Sequence, residues 1–210
     1  NLYDANNRDN MSIEVITPAQ WQTQRWQNGG GITHQLCRQD DENGLLWRLS
    51  IAEVASDGPF SRFDNIDRII MLLTGAGFSL HGVGDNPQVL ETPLMPFTFA
   101  GETPIHCTLL NGALRDFNLM TRRGALQAQL QVLTIGSAIQ TLLLSTQTLV
   151  YIASGSVNAV LGAKRLTLEA QHTLSLCNEA GTVQLSSNDS AQVIIIGISD
   201  AQCGNSTEKF

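Results

Sequence analysis

The chain has 210 residues, of which 42% are hydrophobic and 15% are charged, and its formal net charge is −7. This composition can bury a sizeable core in one large β domain or two small ones, which argues against global disorder. The acidic balance argues against nucleic acid or a membrane surface as a partner, because both attract a basic face. No apolar run approaches the ~20 residues of a membrane-spanning helix.

The first residues are polar, and we expect 1–11 to be a disordered leader or a cloning remnant. Thr17–Gln22 fits a single helical turn, with Thr17 as the N-cap and Pro18 in the first position. Three consecutive glycines then follow Trp26-Gln27-Asn28. They predict a loop at which the backbone closely approaches another group.

Short strands come next, separated by turns that are rich in glycine and proline. They are predicted at Ile32–Arg38, Leu46–Val54, Arg68–Leu73, Phe78–His81, Gln88–Leu90, Phe97–Ala100 and His106–Leu110, with a polar turn at Gln39–Gly44. Alternation in Leu46–Val54 places Arg48, Ser50 and Ala52 on one face and the residues between them on the other. Without a long amphipathic helix, this pattern predicts an all-β sandwich or barrel.

The second half of the chain resembles the first. Ile69–Gly75 is similar to Leu149–Gly155, and an offset of about 80 residues is typical of two similar β-barrels in tandem. We therefore predict one barrel over residues 12–125, including the N-terminal motif segment, and a second over 126–210. Because residues 145–198 carry only Lys164 and Arg165 as cations, we expect the second barrel to be mainly structural.

The sequence offers little for metal or nucleotide chemistry. Its histidines, His34, His81, His106 and His172, are isolated from one another. His81 and Glu91 form the one candidate pair of metal ligands, whereas a stable metal site needs three or more ligands. The glycine-rich loop lacks the remaining residues of a phosphate-binding motif. The four cysteines form no C-x-x-C pair, so free thiols in a reducing cytosol are expected. We expect no metal and no cofactor.

Polar side chains occur within strands that are otherwise apolar. They include Arg48, Ser50, Arg68, Asp116, Asn118 and Arg122. Inside a barrel such groups must be paired or must meet a ligand. Two interpretations are open for Arg48: it binds a small carboxylate through its planar fork, or it forms a buried ion pair with Asp116. Arg122-Arg123 also fits a solvated basic end of a strand.

These positions belong to a longer series of motifs. The series is Trp26-x-Asn28-Gly29-Gly30-Gly31-x-Thr33, Trp47-Arg48-x-Ser50-x-Ala52, Ser61-x-Phe63, Asp67-Arg68, Gly75, Phe97-x-Phe99 and Asp116-Phe117-Asn118-x-Met120-Thr121-Arg122. In this order, between Ser12 and Arg123, it resembles the HutD family, which includes the Ves proteins. The resemblance implies a double-cupin fold, with two β-barrels or jelly rolls in one chain, and a cytoplasmic bacterial protein.

In many bacteria the family's gene accompanies genes of histidine degradation. The resemblance therefore implies a regulator of histidine catabolism that binds a urocanate-like or formylglutamate-like carboxylate, and no catalytic residues carry over. The motif positions implied to form the ligand site are Trp26, Asn28, Thr33, Arg48, Ser50, Arg68, Asp116, Asn118 and Arg122.

Three classes of function follow. We favour a non-enzymatic protein that binds a small carboxylate metabolite. A metal-independent cupin enzyme, a hydrolase or isomerase acting on a small anionic metabolite, would use Asp116 or His106 as general acid or base if burial shifted its pKa. A protein-interaction module would leave the barrel empty. The sequence does not fix the oligomeric state, and a homodimer is one of the options.

Overall fold

The computed structural model describes residues 12–177 and 181–201. Over these ranges the chain folds into antiparallel strands and one short 3-10 helix, Pro18–Gln20, where the helical turn was predicted. None of the described helices has the length and apolar character needed to cross a membrane. The predicted leader at residues 1–11 lies outside the described residues.

The N-terminal unit consists of two facing sheets. The larger contains, in spatial order, β2 (Gln22–Arg25), β3 (Gly31–Asp41), β4 (Gly44–Val54), β11 (Leu114–Arg122), β6 (Ile66–Thr74) and β9 (Phe97–Ala100). The smaller contains β5 (Gly58–Pro59), β10 (His106–Leu109), β7 (Phe78–His81) and β8 (Gln88–Leu90). Every strand predicted in this half is present, and β7, β8 and β9 have the predicted bounds.

The C-terminal unit repeats this plan. Its larger sheet contains, in spatial order, β1 (Ser12–Ile16), β17 (Thr173–Cys177), β14 (Gln147–Ser154), β19 (Ala191–Asp200) and β12 (Leu126–Ile135). Its smaller sheet contains β13 (Gln140–Leu143), β18 (Thr182–Ser186), β15 (Ser156–Leu161) and β16 (Lys164–Glu169). The similar segments noted in the sequence are β6 and β14, which hold equivalent positions. Each unit is therefore a jelly roll of two open sheets rather than a closed barrel.

The first described strand connects the two units. β1 pairs with β17, with Ser12 opposite Cys177 and Ile16 opposite Thr173. Residues 12–16 thus form the edge of the C-terminal sheet, whereas the predicted division assigned them to the N-terminal barrel. The chain then crosses to the N-terminal unit through the short 3-10 helix.

The β3–β4 hairpin is longer than predicted. Its strands continue to Asp41 and resume at Gly44, so the turn is reduced to Glu42 and Asn43. The acidic residues stay in the ladder because arginines neutralise them: Arg38 pairs with Asp40 at 2.6 Å and Arg122 pairs with Asp41 at 2.7 Å. The polarity of residues 39–44 predicts a turn, but the ion pairs allow most of this segment to remain in the two strands.

The two large sheets pack against each other through their outer faces. Leu49 and Ile51 are fully buried there against residues of the C-terminal unit. Phe117 and Tyr151 meet across the interface with ring centroids 5.3 Å apart. Their rings are tilted relative to each other, which is an arrangement that aromatic pairs prefer. Because alternate residues of a strand point to opposite faces, this packing directs Arg48, Ser50 and Ala52 into the N-terminal unit.

The interiors of the two units differ in chemistry. The C-terminal interior is filled by an apolar cluster that includes Val150, Ile152, Leu174 and Ile195. The N-terminal interior has an apolar cluster at one end, built around residues such as Phe78, and buried polar side chains of the large sheet beside it. The second group forms the site described below.

Candidate functional site

A cavity of about 590 Å³ opens into the N-terminal unit. We call it the polar cavity. Its sheet side carries six of the predicted site residues, Thr33, Arg48, Ser50, Arg68, Asp116 and Asn118, and two more, Trp26 and Asn28, line it from the loop between β2 and β3. The structure therefore brings eight of the nine predicted residues together.

Strand register explains why these side chains meet. β11 lies between β4 and β6, and Met120 on β11 stands opposite both Arg48 and Arg68. Since neighbouring strands are about 4.8 Å apart, the two arginine Cα atoms are separated by roughly 10 Å. Two residues before Met120 on the same strand, Asn118 stands opposite Ser50. Two guanidinium groups from different strands thus enter one cavity.

Arg68 is almost completely buried, with 5% of its surface exposed. Its Nε and Nη2 donate to Asn118 Oδ1 at 3.2 and 3.1 Å, and Nη1 donates to the Ser61 carbonyl at 3.4 Å. The guanidinium also lies 4.8 Å from the centroid of the Phe99 ring. Burial lowers the pKa of Arg68 to about 10, although the negative charge of Asp116 acts in the opposite direction. Its donors are largely satisfied within the protein.

Arg48 has fewer partners. Its Nη2 lies 3.4 Å from Met120 Sδ, a weak acceptor, and its Nε is buried without a hydrogen-bond partner. Burial lowers the pKa of Arg48, and the nearby charge of Arg38 adds to this effect. No ion pair involving Arg48 or Arg68 occurs among the described residues. The structure therefore does not contain the buried ion pair between Arg48 and Asp116 that was the alternative interpretation.

One aromatic ring contacts both guanidinium groups. The Phe63 centroid lies 5.3 Å from Arg48 Cζ and 5.6 Å from Arg68 Cζ. The electron-rich face of the ring stabilises cations, and it partly offsets the repulsion that each arginine exerts on the other. The pair nevertheless gives the cavity a positive potential.

Asp116 is the acidic residue that lines the polar cavity. Only 1% of its surface is exposed, and Oδ1 has no hydrogen-bond partner. Burial raises the pKa of Asp116 to about 7, against the lowering effects of the Arg68 charge and a hydrogen bond with Asn118. The carboxyl therefore changes protonation state near neutral pH.

The glycine-rich segment shapes one edge of the cavity. Trp26 Nε1 donates to Thr33 Oγ1 at 2.8 Å, and the Gly30 amide donates to Asn28 Oδ1 at 2.9 Å. A Cβ on Gly31 would stand 2.6 Å from the Glu53 carbonyl oxygen. The predicted close approach of backbone is therefore present, and it holds Trp26 and Asn28 beside the cavity.

Sequence reasoning missed the loop between β5 and β6. Phe60, Ser61 and Phe63 line the cavity as well. Backbone hydrogen bonds of 2.9 Å fix this loop, from the Phe60 amide to Ile105 O and from the Phe63 amide to Gly101 O. The Ser61-x-Phe63 motif was the available signal, but nothing in its spacing indicates a loop that folds back over the sheet.

Arg122 is the predicted site residue that lies elsewhere. It occupies the last position of β11, where both Asp41 carboxylate oxygens accept its Nη groups at 2.7 and 2.8 Å and Leu45 O accepts Nε at 3.0 Å. It is thus part of the hairpin's ion pair and not of the cavity lining. His106, considered as a catalytic base, is exposed on β10 opposite His81 and does not line the cavity.

The fold and the site together define a class of protein: a double cupin whose N-terminal unit encloses an arginine-lined cavity. Within residues 12–177 and 181–201, no group of three or more His, Cys, Asp or Glu side chains could hold a metal ion. The HutD family model matches residues 18–195. The chain belongs to the HutD family.

Relatives support this assignment. Protein Ves from Cronobacter sakazakii is 37% identical over 173 residues, covering 77% of this chain and 90% of that protein. An uncharacterized 21.2 kDa protein encoded in the hutC 3' region of Pseudomonas putida is 38% identical over 121 residues, covering 57% of this chain and 63% of that protein.

Solved structures agree with the fold. HutD from Pseudomonas fluorescens SBW25 superposes with a TM-score of 0.79 at 29% identity, covering 90% of this chain and 100% of that one. Bacillus subtilis oxalate decarboxylase OxdC superposes with a TM-score of 0.64 at 6% identity, covering 91% of this chain and 78% of that one. The second likeness shows the cupin fold alone.

Proposed function

We propose that the polar cavity binds a small carboxylate metabolite and that the protein acts as a non-enzymatic, cytoplasmic regulator of catabolism. One observation carries the proposal: the guanidinium groups of Arg48 and Arg68 share the cavity without a carboxylate paired to either among the described residues. Buried charges require partners. A bound carboxylate supplies one, and each charge-assisted hydrogen bond contributes about 1.5–3 kcal/mol.

The remaining lining suits a small ligand with an unsaturated body. Aromatic side chains of Trp26, Phe60 and Phe63 provide apolar contact beside the cationic groups, and cavities of roughly 300–1,000 Å³ accommodate small organic ligands. The relatives add a metabolic context, since one is named for the hutC region and another is HutD. Together they favour a urocanate-like or formylglutamate-like carboxylate.

A thermal-shift screen tests this function. Each acid, including urocanate, N-formylglutamate and trans-cinnamate, is compared with its neutral amide. A ligand at a hundred times its Kd stabilises the folded state by about 2.7 kcal/mol, so at least one acid should raise the Tm and its amide should not. Equal shifts with acid and amide, or no shift with any acid, would contradict carboxylate binding.

Asp116 supports a second candidate function. A buried carboxyl whose pKa is raised to about 7 inside a cavity has the properties of a general acid or base. The protein would then be a metal-independent hydrolase or isomerase. Proton NMR of each stabilising acid, incubated with an equimolar amount of protein, separates the candidates: an unchanged acid supports the binding protein, and product signals support the enzyme.

A further inference from the structure

A buried carboxyl such as Asp116 is unusual in a site that binds anions. Arg48 on β4 and Arg68 on β6 line the same cavity as Asp116 on β11. From β10, the buried Cys107 also faces this carboxyl, and burial together with the charges of Asp116 and Asp57 raises the pKa of Cys107 to about 12. The thiol therefore stays neutral at ordinary pH. Arg25, at the exposed end of β2, lines the cavity as well. The charge of the cavity is therefore set by three arginines and one titrating carboxyl.

An incoming carboxylate changes the balance between these groups. It adds a negative charge close to Asp116 and neutralises part of the positive potential that favours the ionised form of Asp116. Both effects favour protonation, because a nearby like charge disfavours ionisation. Asp116 Oδ1 is buried without a partner, so a proton on this oxygen can be donated to an oxygen of the bound anion.

We propose that the cavity binds carboxylates with Asp116 protonated, and that binding takes up from solvent the proton that any ionised Asp116 lacks, so that binding strengthens as the pH falls through neutrality. This coupling rests on the proposed function and adds a condition to it. In the bound state the anion then lies beside the cations of Arg48 and Arg68 and a neutral Asp116 carboxyl, with an O–H···O⁻ hydrogen bond between Asp116 and the ligand. Such charge-assisted hydrogen bonds are short and strong.

Linkage sets the size of the effect. If only the protonated form of Asp116 accepts the anion, the association constant falls about tenfold per pH unit above the pKa of Asp116 and is constant well below it. The reciprocal effect must also appear: a saturating anion raises the pKa of Asp116. Each effect can be measured without knowing the natural ligand.

Formate is the probe, because it is the smallest carboxylate and remains ionised throughout the range studied. Its affinity is measured by NMR titration of the intact protein at about pH 6, 7 and 8. The Asp116 carboxyl ¹³C signal is followed against pH in sodium formate and, for comparison, in sodium chloride of equal ionic strength. We expect binding to be roughly fivefold weaker at about pH 8 than at about pH 7 and roughly tenfold weaker at about pH 8 than at about pH 6. We also expect a higher titration midpoint in formate.

Two variants complete the test. Asp116→Asn should remove the dependence of formate affinity on pH. Glu53→Gln, which changes a carboxylate on β4 outside the cavity lining, should retain it. Equal wild-type affinity at all three pH values, or an unmoved Asp116 midpoint with formate bound, overturns the coupling and leaves carboxylate binding intact. Absence of formate binding at every pH overturns the proposed function together with the coupling. If Asp116→Asn fails to fold, the wild-type midpoint decides.

Discussion

At the scale of single residues, the polar atoms of the cavity differ in whether the protein itself supplies their partners. Arg68 donates to Asn118 and to a loop carbonyl, so part of its function is to position neighbouring groups. Arg48 Nε and Asp116 Oδ1 are buried and unpartnered. Since unsatisfied buried polar atoms cost free energy, these two are the atoms that gain most from a ligand.

The raised pKa of Asp116 predicts an unusual dependence of the protein's stability on pH. Its pKa is raised to about 7 in the folded protein and is about 3.9 in an unfolded chain. Between these values the folded state keeps a proton that the unfolded state has lost, so stability falls as the pH rises. Asp116→Asn should therefore stabilise the protein at about pH 8, by up to roughly 4 kcal/mol, and have little effect at about pH 4.

Urea unfolding of both proteins at the two pH values measures this difference. Equal differences at both pH values would show that the carboxyl does not titrate as described. Asn is a suitable replacement because it is similar in size and neutral, as the protonated acid is.

Arg122 provides a contrasting residue. Its paired contact with Asp41 belongs to the β3–β4 hairpin, so Arg122→Gln should lower stability by about 1 kcal/mol while leaving carboxylate affinity unchanged. Calorimetric titration and urea unfolding of this variant check both expectations. A loss of affinity with unchanged stability would place Arg122 in the site.

Part of the residue-level site could be predicted from the sequence. Alternation in β4 correctly placed Arg48 and Ser50 on the interior face. Alternation also gives Arg122 the same parity as Asp116 and Asn118, and it cannot reveal that the strand ends there and an acidic hairpin captures the side chain. Phe60 and Phe63 lie in a loop, where no periodicity exists to indicate direction.

At the scale of secondary-structure elements, residues 26–30 connect β2 with β3, and together with the first residues of β3 they form one edge of the cavity. Gly31→Ala would place a Cβ 2.6 Å from the Glu53 carbonyl oxygen and 3.0 Å from two Trp26 ring carbons. Because backbone must move to accept it, we expect a loss of about 1–3 kcal/mol and weaker ligand binding.

Gly136→Ala is the matched control, because nothing lies within 4 Å of a Cβ at Gly136. Thermal unfolding and calorimetric titration of the two variants provide the comparison. If Gly31→Ala behaves like Gly136→Ala, the close packing of this segment does not shape the cavity.

β1 shows which feature of an element lies beyond sequence reasoning. Pairing of Ser12 with Cys177 joins parts of the chain that are remote in sequence. Periodicity identifies a strand but not its partner, and remote pairing depends on how complete sheets pack. The sequence therefore predicts a boundary between β11 and β12 but does not predict that β1 belongs to the C-terminal unit.

At the scale of the whole molecule, the two units depend on each other. The C-terminal sheet contains β1 from the start of the chain, and its outer face, with Leu149 and Ile194 fully buried, is covered by the N-terminal unit. A fragment of residues 126–201 would lose an edge strand and expose this apolar face. We expect it to aggregate or remain unfolded.

The intact protein should instead unfold in one cooperative transition. Circular dichroism and tryptophan fluorescence, recorded during urea unfolding, should give the same midpoint. Two separate midpoints, or a soluble and folded C-terminal fragment, would show that the units are independent.

The central claim is that the arginines of the polar cavity bind a carboxylate. Calorimetric titration of Arg48→Lys with the most stabilising acid of the thermal-shift screen tests it most directly. Wild type and Arg38→Lys are titrated with the same acid for comparison. Arg38 stands opposite Arg48 on β3 but does not line the cavity. Lysine keeps the charge and loses the planar fork. We predict about tenfold to hundredfold weaker binding by Arg48→Lys, unchanged binding by Arg38→Lys, and similar urea midpoints for all three proteins. Normal affinity of folded Arg48→Lys, with a collapsed urea midpoint, would show that Arg48 is structural and contradict the account.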